Sequence, residues 1–136
     1  MAAWGKGPLE NDDACDFADG VADGTDLSVL DRTLDKAANA NGHYLEASDG
    51  AEALAAGEII ARLLWRPGDV TPRTAKIDGW IADSKLVPDA ALIDKAQRAV
   101  LRVITDPSEL MQLYIDSDDY DGWESAVEDL AHRIKP

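Results

Sequence analysis

The stretch AEALAAGEIIARLL, Ala51 through Leu64, decides the fold. Leu54, Ala55, Ala56, Ile59, Ile60, Ala61, Leu63 and Leu64 make it apolar nearly all round, and Glu58 and Arg62 stand four residues apart on the narrow polar strip that is left. A helix with no broad face for water belongs at the centre of other helices. Glu52, Glu58 and Arg62 interrupt the run, so it is too short and too charged to cross a bilayer.

Working outward, the chain before this stretch predicts two helices. Asn11 caps the first, with Asp12 and Asp13 in the first turn, where carboxylates complement the helix dipole, and Gly20 and Gly24 bracketing its end. The second runs from about Asp26, sets Leu27, Leu30 and Leu34 on one face, and closes at Asn39 to Gly42, where Gly42 suits a left-handed cap. His43 to Gly50 reads as a linker whose Tyr44 and Leu45 tuck into the core.

On the other side, Arg66-Pro67-Gly68-Asp69 ends the central helix, and Pro72 opens a shorter amphipathic segment with Ile77, Trp80 and Ile81 on one side. Pro88-Asp89 starts a long helix with Leu92, Ala96, Ala99 and Val103 in one row; Asp94, Arg98 and Arg102 form a charged stripe on one face. Ser108 caps a helix carrying Leu110, Met111, Leu113 and Tyr114, and Asp116 to Gly122 reads as an acidic loop. Trp123, Ala126, Val127, Leu130 and Ile134 then recur at helical spacing. Only Tyr44-Leu45 and Asp69-Val70-Thr71 read as strand, and both are too short to make a sheet. The expected fold is all-α, an irregular bundle of six or seven helices forming one domain over residues 1–136.

Composition agrees. The 22 alanines favour packed helices over strands. The formal net charge is −14, from 27 acidic and 13 basic side chains, and 20 of the acids are Asp. That sign argues against nucleic acid and against anionic membrane surfaces, which both need a basic face, but leaves room for a basic protein partner. The charge is concentrated at the ends: residues 1–58 carry 13 acids and 3 bases, residues 59–115 carry 7 and 8, and residues 116–136 carry 7 and 2. If the ends pack side by side, their summed field steers a cationic partner at low salt; the simpler reading is a solvated surface. A single cysteine, Cys15, excludes an internal disulfide, and no basic stretch followed by an apolar one opens the chain; a cytoplasmic location is the expectation.

Trp4-Gly5-Lys6-Gly7 followed by Asn11-Asp12-Asp13-Ala14-Cys15-Asp16-Phe17 resembles a family of small bacterial proteins catalogued as domain of unknown function family 4259, whose members open W-G-x-G…N-D-D-A-x-D. Tyr44-Leu45-Glu46, the Ala55 to Ala61 segment, and Ser108-Glu109-Leu110 with Leu113-Tyr114 also look like that family, so the resemblance spans most of the chain. Ala2 stands where Gly is expected and Tyr114 where Trp is frequent. The resemblance implies no activity. Physically, Gly5 and Gly7 let the chain fold back and bury Trp4 against the first helix as a plug.

Three constellations are candidate sites. Asp12, Asp13 and Asp16 stand at i, i+1 and i+4, so that Asp12 and Asp16 could share one helix face and hold a hard cation, although capping and dipole compensation followed by a solvated Asp account for them. Ser117 to Gly122, aligned on Gly122, offers Asp119, Asp121 and Glu128 at calcium-loop positions, but Ser117 occupies the first position and Glu124 an apolar one, so an acidic turn before a helix is the simpler reading. Glu58 must be paired if it is buried; Arg62 is the obvious partner, with Arg98 or Arg102 reaching from a neighbouring helix and Glu46 as a second carboxylate of a possible pocket. Cys15, His43 and His132 form no recognisable nucleophile and base set, and no cofactor motif is present.

These readings favour a protein-binding or inhibitory, immunity-like module that turns Asp116, Asp118, Asp119 and Asp121 to a basic partner. The alternatives are a small enzyme or ligand-binding protein built on the Glu58 pocket, and a metal-binding protein using the Asp-rich loop. Oligomeric state is open.

Overall fold

The computed structural model describes residues 7–135. Among them stand seven α-helices and no strand: α1 Asp12–Ala22, α2 Ser28–Ala38, α3 Ala47–Leu63, α4 Ala75–Ser84, α5 Ala90–Val103, α6 Glu109–Asp116 and α7 Tyr120–Arg133, with a 3-10 turn at Pro72–Thr74 before α4. Three of the helices, α1, α5 and α6, start where a short polar side chain accepts an otherwise unpaired backbone N–H. Asn11 Oδ1 accepts from Ala14 N at 2.8 Å, Asp89 Oδ1 from Leu92 N at 2.8 Å, and Ser108 Oγ from Met111 N at 3.4 Å.

α3 is the axis of the bundle and packs against each of the other six helices. From Ala53 through Leu63 every residue is buried, so even the expected polar strip lies inside. Close approach to its neighbours depends on Gly57. A Cβ built there would stand 2.5 Å from Val100 Cγ2 of α5 and 3.3 Å from Ile134 Cδ1. Val100 is β-branched and fully buried, so it has no free end to swing away. Gly57→Ala is therefore expected to destabilise by about 1–3 kcal/mol in urea unfolding despite the better helix propensity of alanine, because overpacking outweighs the roughly 1 kcal/mol that propensity returns.

Two boundaries differ from the sequence reading. α3 begins at Ala47, a turn before Ala51, because its first turn is held from outside: Ala47 N donates to Glu109 Oε1 of α6 at 2.7 Å, and Gly50 lies close under Leu110 and Val103. The linker thus shifts to residues 39–46. Leu45 is buried there and makes an isolated parallel bridge with Ser108, whereas Tyr44 is 61% exposed and does not enter the core. α7 begins at Tyr120, not Trp123, so Asp121 and Gly122 are helical and the acidic turn shrinks to residues 117–119.

The far end of the core is aromatic. Trp123 is 1% exposed and stacks on Tyr114 at 4.7 Å between ring centroids, with Tyr120 tilted against it at 6.0 Å.

Candidate functional site

Burial forces a partner on any charge, and Glu58 and Arg62 are 1% and 3% exposed. Their spacing of four puts them on one side of α3, with Arg62 Nε 3.0 Å from Glu58 Oε2, an ion-pair distance without hydrogen-bond alignment. The second cation comes from α7. Arg133 donates through Nη2 to Glu58 Oε1 at 2.7 Å and through Nη1 to Oε2 at 3.2 Å, a bidentate pair. Burial alone would lower the pKa of the Arg133 guanidinium; its hydrogen bonds and charge contacts with Glu58 and Asp129 outweigh that and hold it above its ordinary value. Arg62 reaches on to Asp78 of α4, and Asp129 accepts from Arg133 Nε at 2.9 Å.

The same charges fasten the segment that follows α3. Gly68 N donates to Glu58 Oε2 at 2.9 Å, Arg62 donates to the Asp69 carbonyl, and Arg133 donates to the Arg66 carbonyl at 3.0 Å. The Arg66 side chain donates in turn to the Lys135 carbonyl. Both carboxylate oxygens of Glu58 are therefore engaged, and its geometry suits a latch joining α3, α7 and the loop better than proton transfer to a substrate.

Beside the latch opens a cleft of about 550 Å³. Glu58, Arg62 and Arg133 lie at its base, and Leu9, Pro72 and Ala126 give it apolar walls. The volume falls within the range of small-molecule pockets.

Outside the cleft the loop carries Trp65. α3 closes with Trp65 N donating to the Arg62 carbonyl at 3.0 Å and Arg66 N to the Ala61 carbonyl at 2.9 Å, the double hydrogen bond of a Schellman cap. The left-handed residue of such a cap is usually glycine; here it is Trp65, at φ 61°, which costs a residue with a Cβ about 1 kcal/mol. Its side chain is 75% exposed, so packing does not repay that cost.

Arg98 and Arg102 do not reach Glu58: their stripe faces away from α3, where Arg98 pairs with Asp94 at 2.9 Å and Arg102 donates to the carbonyls of Thr105, His43 and Pro107. Glu46 is exposed at the N-terminus of α3, twelve residues along the helix from Glu58 and so roughly 18 Å away. The partners that complete the network are Arg133 and Asp78. Asp12 and Asp16 are exposed and Asp13 half-buried. Trp4 and Gly5 lie outside the described residues; Gly7 N donates to Glu10 Oε1 at 3.0 Å.

The calcium-loop alignment of Asp119, Asp121 and Glu128 has no loop to wrap a cation, because the chain is helical from Tyr120 onward. Among the described residues no three His, Cys, Asp or Glu side chains are grouped as metal ligands. Cys15 donates to the Leu9 carbonyl at 3.2 Å, and burial, with the Asp19 carboxylate, pushes its thiol above the ordinary value, away from thiolate chemistry.

Acidic side chains divide into two groups. Around α2 they are answered by lysines: Lys95 lies 2.8 Å from Asp31 and 3.2 Å from Asp35, and Lys36 lies 3.4 Å from Asp49. At the α6–α7 turn Asp116, Asp118 and Asp121 are exposed, and among the described residues no lysine or arginine stands at ion-pair distance from these three. Tyr120 donates to Glu124 at 2.6 Å, and that hydrogen bond pushes its phenol up to about 12.

Fold and site together define a small all-α domain in which a buried ion-paired latch fixes a loop and cleft beside the central helix. The model of the family described as Domain of unknown function (DUF4259) matches residues 2–126, and the chain belongs to that family. Neither the curated proteins nor the solved structures give a match. No helix among the described residues is long and apolar enough to cross a membrane.

Proposed function

We propose that the chain is a protein-binding module of inhibitory, immunity-like type, presenting the acidic surface at the α6–α7 turn to a basic partner. The observation that carries this reading is the exposed, unanswered charge at the α6–α7 turn, with Glu10 from the other acidic end near the same helices. Glu10, from the segment before α1, lines the same cleft as Ala126 and Asp129 of α7. The Tyr114 phenol, raised first by burial, is raised further by both Asp119 and Glu10. Glu10 and Asp119, far apart in the sequence, thus both act on Tyr114 of α6, and the exposed Asp116, Asp118 and Asp121 around the turn that follows carry charge that no lysine or arginine among the described residues answers at ion-pair distance. Such a surface accelerates encounter with a cationic protein at low salt.

The test replaces Asp116, Asp118, Asp119 and Asp121 together with Asn. Asn preserves the fold: Asp118 sits at φ 62°, a left-handed conformation that Asn tolerates well. The wild-type chain is expected to retain a basic protein from a lysate of its source cells at low salt and release it as salt rises, with the variant associating about tenfold more slowly or worse. Equal capture by the variant would remove the basis for this reading.

A further inference from the structure

We infer that the chain associates with a second copy of itself, the Trp65 loop of each molecule docking against the cleft of the other. The sequence keeps a tryptophan at the one position of the α3 cap where glycine would be relaxed, and turns it outward. Val70, 70% exposed, and the exposed Pro67 stand on the same loop. These apolar groups are presented on a rigid backbone, because the latch holds the Arg66 carbonyl, the Gly68 N–H and the Asp69 carbonyl. A rigid, exposed aromatic loses little entropy on contact and is the residue type that most often anchors an interface.

The occupant follows from what lies next to it. The loop that projects Trp65 also supplies Gly68, Thr71 and Pro72 to the lining of the cleft, along with Leu9 and Ala126. One loop thus carries an exposed aromatic and, three residues on, begins to line a recess, so each copy offers both halves of a twofold contact. Charge points to the same face. Two chains of net charge −14 repel each other over most of their surfaces. Here the charged side chains lining the cleft nearly cancel: Glu10, Glu58, Asp69 and Asp129 against Arg62, Arg73 and Arg133. It is a face on which like copies can approach with little local repulsion, and the remaining repulsion is long-range and screened by salt.

The experiment is analytical ultracentrifugation of the full chain from about 10 µM to about 1 mM, repeated as sodium chloride rises from about 0.05 M to about 1 M. The wild type is expected to form a weak dimer that tightens at least about threefold as salt screens the net charge. Trp65→Gly is expected to sediment as a monomer throughout while its Tm stays level or rises by about 2–3 °C, since the left-handed strain is relieved. Val70→Ser weakens the dimer, and Val29→Ser, an exposed position on α2, leaves it unchanged. A wild type that stays monomeric at every concentration and salt overturns the inference, as does a Trp65→Gly variant that dimerises normally. Because the Asp-to-Asn variant described above leaves this face intact, loss of one association and survival of the other separates the two surfaces.

Discussion

Replacing Glu58 with alanine is expected to destabilise the fold by about 3–5 kcal/mol, a large part of the roughly 5–15 kcal/mol that a domain of this kind commonly has. The cost comes from what remains. Arg62, 3% exposed in the native fold, keeps Asp78 as an ionic partner but loses Glu58, and Arg133 keeps Asp129 but loses its bidentate acceptor. The Gly68 N–H loses its acceptor as well, so the loop is released together with the pair. Glu58→Gln, which keeps an acceptor oxygen but not the charge, is expected to fall between wild type and Glu58→Ala. Combining Glu58→Ala with Arg133→Ala should cost less than the two single losses added, because the double variant leaves one stranded cation fewer. Urea unfolding of the wild type and the four variants measures this; strict additivity would mean that Glu58 and Arg133 do not act on one another.

Trp123→Ala is the second large effect, about 3–5 kcal/mol and a fall in Tm of about 10 °C or more. Trp123 is among the largest fully buried side chains and closes the end of the core, where α6 and α7 meet. Its removal opens a cavity and also ends the stacking on Tyr114. Trp123→Phe keeps a ring against Tyr114 and should recover more than half of the loss. Set beside Trp65→Gly, the experiment contrasts one residue type in two settings: the fold depends on the buried tryptophan and not on the exposed one. Thermal unfolding of both variants gives the comparison, and a Trp123→Ala loss below about 1 kcal/mol would contradict the packing described.

The parts of this fold that were legible in the sequence are those governed by neighbours along the chain. The cap residues Asn11, Asp89 and Ser108 each accept from an N–H three residues away, and the all-round apolar character of α3 is a property of one helix alone. The burial and pairing of Glu58 with Arg62 belong to the same local class. The second cation does not. Arg133 is 75 positions from Glu58, and nothing local separates it from Arg98 or Arg102, whose regular spacing marks a face turned away from α3. A hint was present: Arg133 directly precedes Ile134, on the flank of the row formed by Val127 and Leu130, where a long side chain can reach inward. Trp65 was hidden for the opposite reason. It continues the apolar run of α3, and only the left-handed cap turns it outward.

The Glu109 carboxylate that caps Ala47 also sets an order of assembly. The segment 51–64 has the pattern to begin coiling as soon as it is free to do so, but the turn before it is tied to a residue 62 positions downstream. Closing so long a loop is slow relative to helix growth, so the first turn of α3 is expected to remain frayed until α6 has docked. On a growing chain, the central helix would then acquire its last turn at its own beginning, and only after most of the protein had been made.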